Sequence, residues 1–320
     1  MKMPIVSLPT LEFKYKNDKA VNLSATLASL VRKIPTYWRG VRRLRALVRE
    51  TQPDVILNFF EPLTGLYALT SRQRPPVVAI AHQFMFEHPD YVRAPGMRVQ
   101  QFGMKLFVKL VGAASTKLAL SLYEAPDLPE KNLFVGPPLL REQLFELTPK
   151  PAGDFVLAYL LNHGYAEQII AWHQKNPQTV LHCFYDKPDA PPEFHHDATL
   201  TFHRLDGEKF LQMMAECKYV ACTAGFESVC EAAYLGKPLF MVPVENHVEQ
   251  RINAVDSMRC GFGIAAKNFN FDRLAELPDR LDNGKFRTWL HRADKVLLET
   301  IEHAVHPPAP VEARQAHLAV

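Results

Sequence analysis

Residues 223–254, TAGFESVCEAAYLGKPLFMVPVENHVEQRINA, decide the fold. They follow Tyr219, Val220, Ala221 and Cys222, a short apolar run of strand type. Thr223, Ala224 and Gly225 make a turn of small residues. The stretch from Phe226 onward predicts a helix, which Gly236 ends because glycine accepts the left-handed C-terminal conformation. Pro238 follows the stop, and Leu239, Phe240, Met241 and Val242 read as a second short strand. Strand, small-residue loop, helix and strand make half of a doubly wound nucleotide-binding fold. The free N–H groups at the start of such a helix attract phosphate, helped by the helix dipole. Gly225 lets a ligand come close to the backbone.

Read in order, the stretch carries Ala224-Gly225, Ser228, Glu231, Gly236-Lys237-Pro238, Val242-Pro243 and Gln250-Arg251-Ile252-Asn253-Ala254. This pattern resembles the donor-nucleotide motif of GT-B glycosyltransferases. The kin are the peptidoglycan lipid-intermediate N-acetylglucosaminyltransferase, the UDP-glucuronosyltransferases and a group of bacterial and archaeal relatives. The resemblance implies that Glu231 holds the ribose hydroxyls, that Ser228 meets the diphosphate, and that Glu249 and Gln250 face the donor sugar. Thr223, Gly225, Phe226 and Asn253 join them as donor-binding candidates. Gly261-Phe262-Gly263 matches the Gly-rich turn that follows Asn-Ala in the family. A purely local role also fits: Ser228 and Glu231 have the spacing of a helix capping box, and Glu227 and Glu231 near a helix start favour its dipole.

Composition bounds the rest. A chain of 320 residues, 48% hydrophobic and 22% charged, suits two globular domains. A net charge of +3 and the lack of an aromatic-basic RNA motif do not point to nucleic acid. No apolar run approaches the roughly 20 residues of a membrane span, and no signal-peptide h-region opens the chain. Five cysteines without CxxC spacing are expected to be reduced packing thiols, with no metal site. A cytoplasmic protein is expected, with no cofactor beyond the nucleotide sugar.

The first half repeats strand and helix. Residues 11–15 alternate as a strand would, 23–31 and 37–50 are of helical pattern, and 53–62 and 76–81 contain buried-type strands. Continuous apolar strands separated by helices argue for a parallel sheet covered on both faces. This section also resembles the bacterial and archaeal relatives, whose pattern is an apolar strand, Asp-Phe-Glu-Pro, a helix and a strand ending in His-Gln. Asn58 is taken as the counterpart of that Asp, with Phe59 intervening before Phe60-Glu61-Pro62, and His82-Gln83 ends the later strand. GT-B chains open with a strand and a Gly-rich loop, whereas the first glycine here is Gly40. The N-terminal domain is therefore expected to lack that first strand and loop.

Ligands of open parallel sheets bind beyond the carboxyl ends of the strands. Asn58, Glu61, His82 and Gln83 occupy such ends and are expected to face the cleft. His82, with Glu61, is the catalytic candidate, because imidazole titrates near neutrality and suits a general base on an acceptor hydroxyl. A hydrogen-bonded scaffold histidine is the plainer alternative. Residues 97–111 form a basic amphipathic stretch that either packs on the sheet or lies on a membrane surface. In the second half, Asn162 and Gly164 sit in a loop after the strand expected over 154–161, where they would approach the diphosphate. Residues 284–304 are read as a helix.

The expectation is thus an α/β chain of GT-B type, two Rossmann-like domains facing a cleft. The N-terminal domain takes 1–136, a Pro-rich linker 137–153, the nucleotide-sugar domain 154–305, and a mobile tail 306–320. The expected activity is metal-independent transfer from a nucleotide sugar, a UDP-sugar first, to an unidentified acceptor, with a lipid-linked one and a peripheral position at the inner face of the membrane as one option. Two rivals share the nucleotide contacts: a UDP-sugar 2-epimerase, and a non-catalytic subunit of a split glycosyltransferase.

Overall fold

The computed structural model describes residues 5–9, 15–16, 20–21, 32–147, 153–160, 163–187 and 189–307. Two dipeptide strands, β1 (Tyr15–Lys16) and β2 (Ala20–Val21), pair antiparallel ahead of the main body. The strand expected over 11–15 lies almost wholly outside the described residues, as do the helix over 23–31 and most of the tail.

The first half is a four-stranded parallel sheet in the order β3 (Ile56–Asn58), β4 (Val77–Ala81), β5 (Thr116–Leu120), β6 (Leu133–Gly136). All five residues of β4 are buried, the signature of a strand covered on both faces. Among the described residues no strand of this sheet precedes β3. On one side lie helices α1 (Ile34–Thr51), α2 (Pro62–Thr70) and α3 (Arg98–Val111). Gly65 of α2 allows α3 to come close, because a Cβ there would stand 2.2 Å from the Leu110 carbonyl oxygen.

The second half is a seven-stranded sheet. Its sequence-ordered strands are β7 (Phe155–Leu160), β8 (Val180–Tyr185), β9 (Glu193–His195), β10 (Leu200–Arg204), β11 (Tyr219–Cys222), β12 (Leu239–Met241) and β13 (Gly263–Ala265). In space they run β13-β12-β11-β7-β8-β10-β9, with only the exposed edge strand β9 antiparallel. Strands β12 and β13 lie so close that a Cβ on Gly263 would sit 1.9 Å from the Leu239 carbonyl oxygen, which explains the glycine of the expected Gly-rich turn. Helices α4 (Glu142–Glu146), α5 (Ala166–His173), α6 (Gly207–Glu216), α7 (Phe226–Tyr234) and α8 (Val248–Arg259) complete this half.

The end of the chain departs from expectation. The helix read over 284–304 is two helices, α9 (Gly284–Leu290) and α10 (Ala293–Val305), and α10 does not stay with the second half. Val296, Leu297 and Ile301 pack on Val78, Ile80 and Leu118 of the first sheet. Trp289 has already crossed, its indole N–H donating to the Ser121 carbonyl at 2.9 Å. Burying these apolar side chains against a sheet face otherwise open to water is the reason for the crossing.

Candidate active site at the interdomain cleft

In the second sheet the winding direction changes between β7 and β11. Strands β8 and β10 follow β7 outward on one side, and β12 and β13 follow β11 on the other. Ligands of such sheets bind at this switch point, beyond the carboxyl ends of the strands. A cavity of about 550 Å³ lies there. Its walls are Tyr159 and Phe184 near the ends of β7 and β8, Leu205 to Gly207 and Phe210 at the start of α6, and Glu227, Ser228 and Glu231 on α7. Leu139, Leu140 and Arg141, from the segment joining the two halves, close it. A second cavity of about 390 Å³ shares Leu139, Leu140, Glu227 and Ser228 with the first and continues into the cleft between the sheets. His82, Gln83, Phe59 and Phe60 from the first half line it opposite Gly225, Phe226 and Glu249.

The turn that delivers α7 is held from behind. Ala224 takes the left-handed conformation, φ +60°, and Asn253 donates its amide to the Ala224 carbonyl at 3.1 Å. Gly225, the N-cap, is extended (φ −63°, ψ 137°), and the nearest atom to a Cβ built there is the Ser228 hydroxyl at 4.0 Å. Neither strain nor crowding therefore demands a glycine. The missing side chain instead leaves open space over the first N–H groups of α7. Because Gly225 is the N-cap, Ser228 stands within the helix, and the capping-box alternative for Ser228 and Glu231 is excluded.

Glu231 is buried, and its carboxylate is clasped by Arg141. The guanidinium donates from Nε to Oε1 at 2.6 Å and from Nη2 to Oε2 at 2.9 Å, and its third nitrogen donates to the Gly207 carbonyl at 3.1 Å. This is the planar bidentate geometry at which arginine excels. The pairing raises the Arg141 pKa further.

Across the cleft, His82 and Gln83 both reach Glu249 in the first turn of α8. The Gln83 amide donates to Glu249 Oε2 at 3.1 Å, and His82 Nε2 stands 3.4 Å from Oε1. The His82 ring lies flat on Phe226, with centroids 4.2 Å apart and planes 5° from parallel. His82 is buried, and its Nε2 makes no aligned hydrogen bond. Burial alone would raise the Glu249 carboxyl, but the attraction of His82, with that of His247 and the Gln83 hydrogen bond adding, outweighs it and holds the group at about 2. Glu249 is thus an ionised carboxylate facing Nε2 of the His82 imidazole, and Nδ1 is the ring nitrogen not turned to it.

Of the residues singled out in the sequence, His82, Gln83, Gly225, Phe226, Ser228, Glu231 and Glu249 line the two joined cavities. Others support them from behind. Gln250 accepts the Val244 N–H at 2.8 Å, and Asn253 braces Ala224, so both shape loops, and Thr223 is buried in the turn. Asn58, expected at the cleft, turns inward instead. Its carbonyl caps the Glu61 N–H at 2.7 Å and its amide reaches the Val111 carbonyl, because a buried side-chain amide must find partners. Glu61 is exposed at the N-cap of α2 and lines neither cavity. Gly164 sits in the short 3-10 turn His163–Tyr165, also outside both cavities, and Asn162 lies outside the described residues. The sequence reading missed Arg141, Tyr159, Phe184 and Phe210. Arg141 lies in a Pro-rich connection with no periodicity to mark it, and the aromatics read as ordinary strand and helix core.

Two open α/β sheets facing a cleft, with a cavity at the switch point of the second, define a GT-B glycosyltransferase. Residues 3–281 match the family model described as glycosyl transferase family 1, and the chain belongs to that family. Among solved structures it is similar to CalG4, the calicheamicin glycosyltransferase, with 14% identity over 90% of this chain and 82% of that one and a TM-score of 0.59. It is similar also to UGT89C1 of Arabidopsis thaliana complexed with UDP-L-rhamnose (12%, 88% and 78%, TM-score 0.57). The glycotransferase of kitacinnamycin is a third such structure (17%, 92% and 85%, TM-score 0.54). No curated protein matches the chain in sequence.

Proposed function

We propose that this glycosyltransferase takes a UDP-sugar as donor and passes the sugar to a hydroxyl of a lipid-linked acceptor. The observation that carries the donor is the cavity at the switch point. Its aromatic walls, Tyr159, Phe184 and Phe210, suit a flat base, and Glu231 lies within it in the middle of α7 for the ribose hydroxyls. The open N-terminus of α7, uncrowded beside Gly225, receives the diphosphate. UGT89C1, similar in fold, was solved with a UDP-sugar.

The sugar then projects into the second cavity, between Glu249 and the first sheet. There the acceptor oxygen forms its bond to the anomeric carbon as the bond from that carbon to the diphosphate oxygen breaks. The proton of the acceptor hydroxyl passes to His82, and the negative charge leaves on UDP. Glu249 stabilises the resulting imidazolium, as a carboxylate behind a catalytic histidine does. The helix N–H groups meet the charge growing on the leaving group.

A lipid-linked acceptor is favoured by α3. Val108 and Val111 face inward, while Val99, Phe102 and Leu106 are 80%, 65% and 53% exposed. Exposed Arg98, Lys105 and Lys109 flank this stripe, and the helix has no acidic residue. An apolar stripe between cations is complementary to the headgroup region of an anionic membrane. Helix α3 reaches the cleft through Phe107, which packs edge-on against Phe60.

Calorimetric titration tests the donor site. Glu231→Gln should weaken UDP binding by about 1.5–3 kcal/mol, the range for hydrogen bonds to a charged group. A 2′,3′-dideoxy analogue of UDP, lacking both hydroxyls, should respond little. Equal losses for the two ligands would refute the ribose role of Glu231.

A further inference from the structure

We infer that Arg141 is the residue that binds the donor diphosphate, and that it is stored on Glu231 until the nucleotide arrives. The inference rests on the UDP-sugar donor proposed above and concerns a side chain that the donor motif does not include.

Charge makes the first case. The cavity at the switch point is lined by three carboxylates, Asp206, Glu227 and Glu231, and by one cationic side chain, Arg141. Asp206 is spent capping α6, where it accepts from the Glu208 and Lys209 N–H groups. Glu227 is exposed in the first turn of α7, where a diphosphate would meet it. Helix amides alone would have to hold that diphosphate against Glu227. A guanidinium, with its rigid fork of donors, supplies what the cavity otherwise lacks.

Position makes the second case. Arg141 is only part-buried and comes from the segment between the two halves, whose neighbours Leu139 and Leu140 line both cavities. Glu231 lies three residues beyond Ser228 on α7, about 4.5 Å along the helix axis. A rotation about the outer bonds of one arginine side chain covers that distance. Leaving Glu231 uncovers both carboxylate oxygens for the two ribose hydroxyls, while the guanidinium arrives at the phosphates beside Ser228. One movement then serves two contacts, and it ties donor binding to the connection between the halves.

The test is titration of the full chain with UDP and with uridine, which has the ribose but no phosphate. Arg141→Ala should lower UDP affinity roughly 10-fold or more, the size expected for lost hydrogen bonds to a charged group. Uridine affinity should hold or rise, because Glu231 is freed. Arg141→Lys keeps the charge without the fork, and should retain part of the UDP preference and bind uridine as the wild type does. Raising salt should shrink the advantage of UDP over uridine in the wild type more than in Arg141→Ala. If both ligands bind more tightly to Arg141→Ala, the arginine only locks Glu231 and the inference fails. Equal losses for both ligands overturn it as well. Should Arg141→Ala not fold, an Arg141→Lys variant with unchanged UDP and uridine affinities overturns it. Wild-type protein that binds neither ligand removes the UDP donor itself, and the role of Arg141 with it.

Discussion

The carboxylate of Glu249 is the charge that meets the first half across the cleft, where His82 and Gln83 both reach it. It is ionised at about pKa 2 although burial acts against it, because His82, His247 and Gln83 surround it. Its folded pKa lies below the ordinary value of 4.5, so it stabilises the fold fully above about pH 4.5. That contribution is lost as pH falls toward 2. Urea unfolding of Glu249→Gln should therefore show a loss of up to about 3 kcal/mol at neutral pH that shrinks as the medium is acidified through this window. A loss that stays constant down to pH 2 would show that the carboxylate is not held by its neighbours. In transfer assays His82→Ala should lower kcat roughly 100-fold or more, as for a lost general base. The place of Glu249 and His82 at the cleft was legible in the sequence because each stands in an ordered motif at a strand or helix end. Arg141 was not, since its meaning comes from Glu231, ninety positions away in the chain and brought near only by folding.

At the scale of elements, most strands and helices were legible because their patterns are strong. The helix stop at Gly236 is an example, with φ +72° as a left-handed C-terminal position requires. Strand β6 was not, because Leu133 to Gly136 is a four-residue run that ends at Pro137 and Pro138 and is too short to show a period. For α3 the sequence admitted two roles, sheet packing and membrane contact, and the structure gives the helix one packed face and one exposed face. The inner face carries Val108 and Val111, and the outer one Val99, Phe102 and Leu106. Phe102→Asp leaves the inner face intact and places a negative charge in the middle of the outer stripe. Co-sedimentation with vesicles rich in anionic lipid should fall several-fold for this variant while its melting temperature stays within a degree or two, as for a surface substitution. Binding that is equal for both proteins, or absent in the wild type, would leave the stripe without a membrane role.

At the scale of the whole molecule, the described residues form two main sheets that the chain connects twice. The first joint is the segment after β6 that carries Leu139 to Arg141 into the switch-point cavity. The second is the return of α9 and α10, which lays Val296, Leu297 and Ile301 over Val78, Ile80 and Leu118. A chain ending at Arg292 removes that cover while leaving Trp289 and the entire second sheet in place. The exposed face then costs the first half a few kcal/mol, at roughly 1 kcal/mol for each partly buried apolar side chain. For a unit of this size each kcal/mol moves the melting temperature by about 4–8 °C. Calorimetry of the shortened chain should show an early transition, assigned to the first half, separated from a later one. Only the later transition should move upward on adding UDP, because the cavity belongs to the second sheet. A single transition at the full-length temperature would mean that α10 contributes nothing to the first half. An early transition that UDP raises as much as the late one would mean that the nucleotide bridges the halves more strongly than the Arg141 contact alone provides.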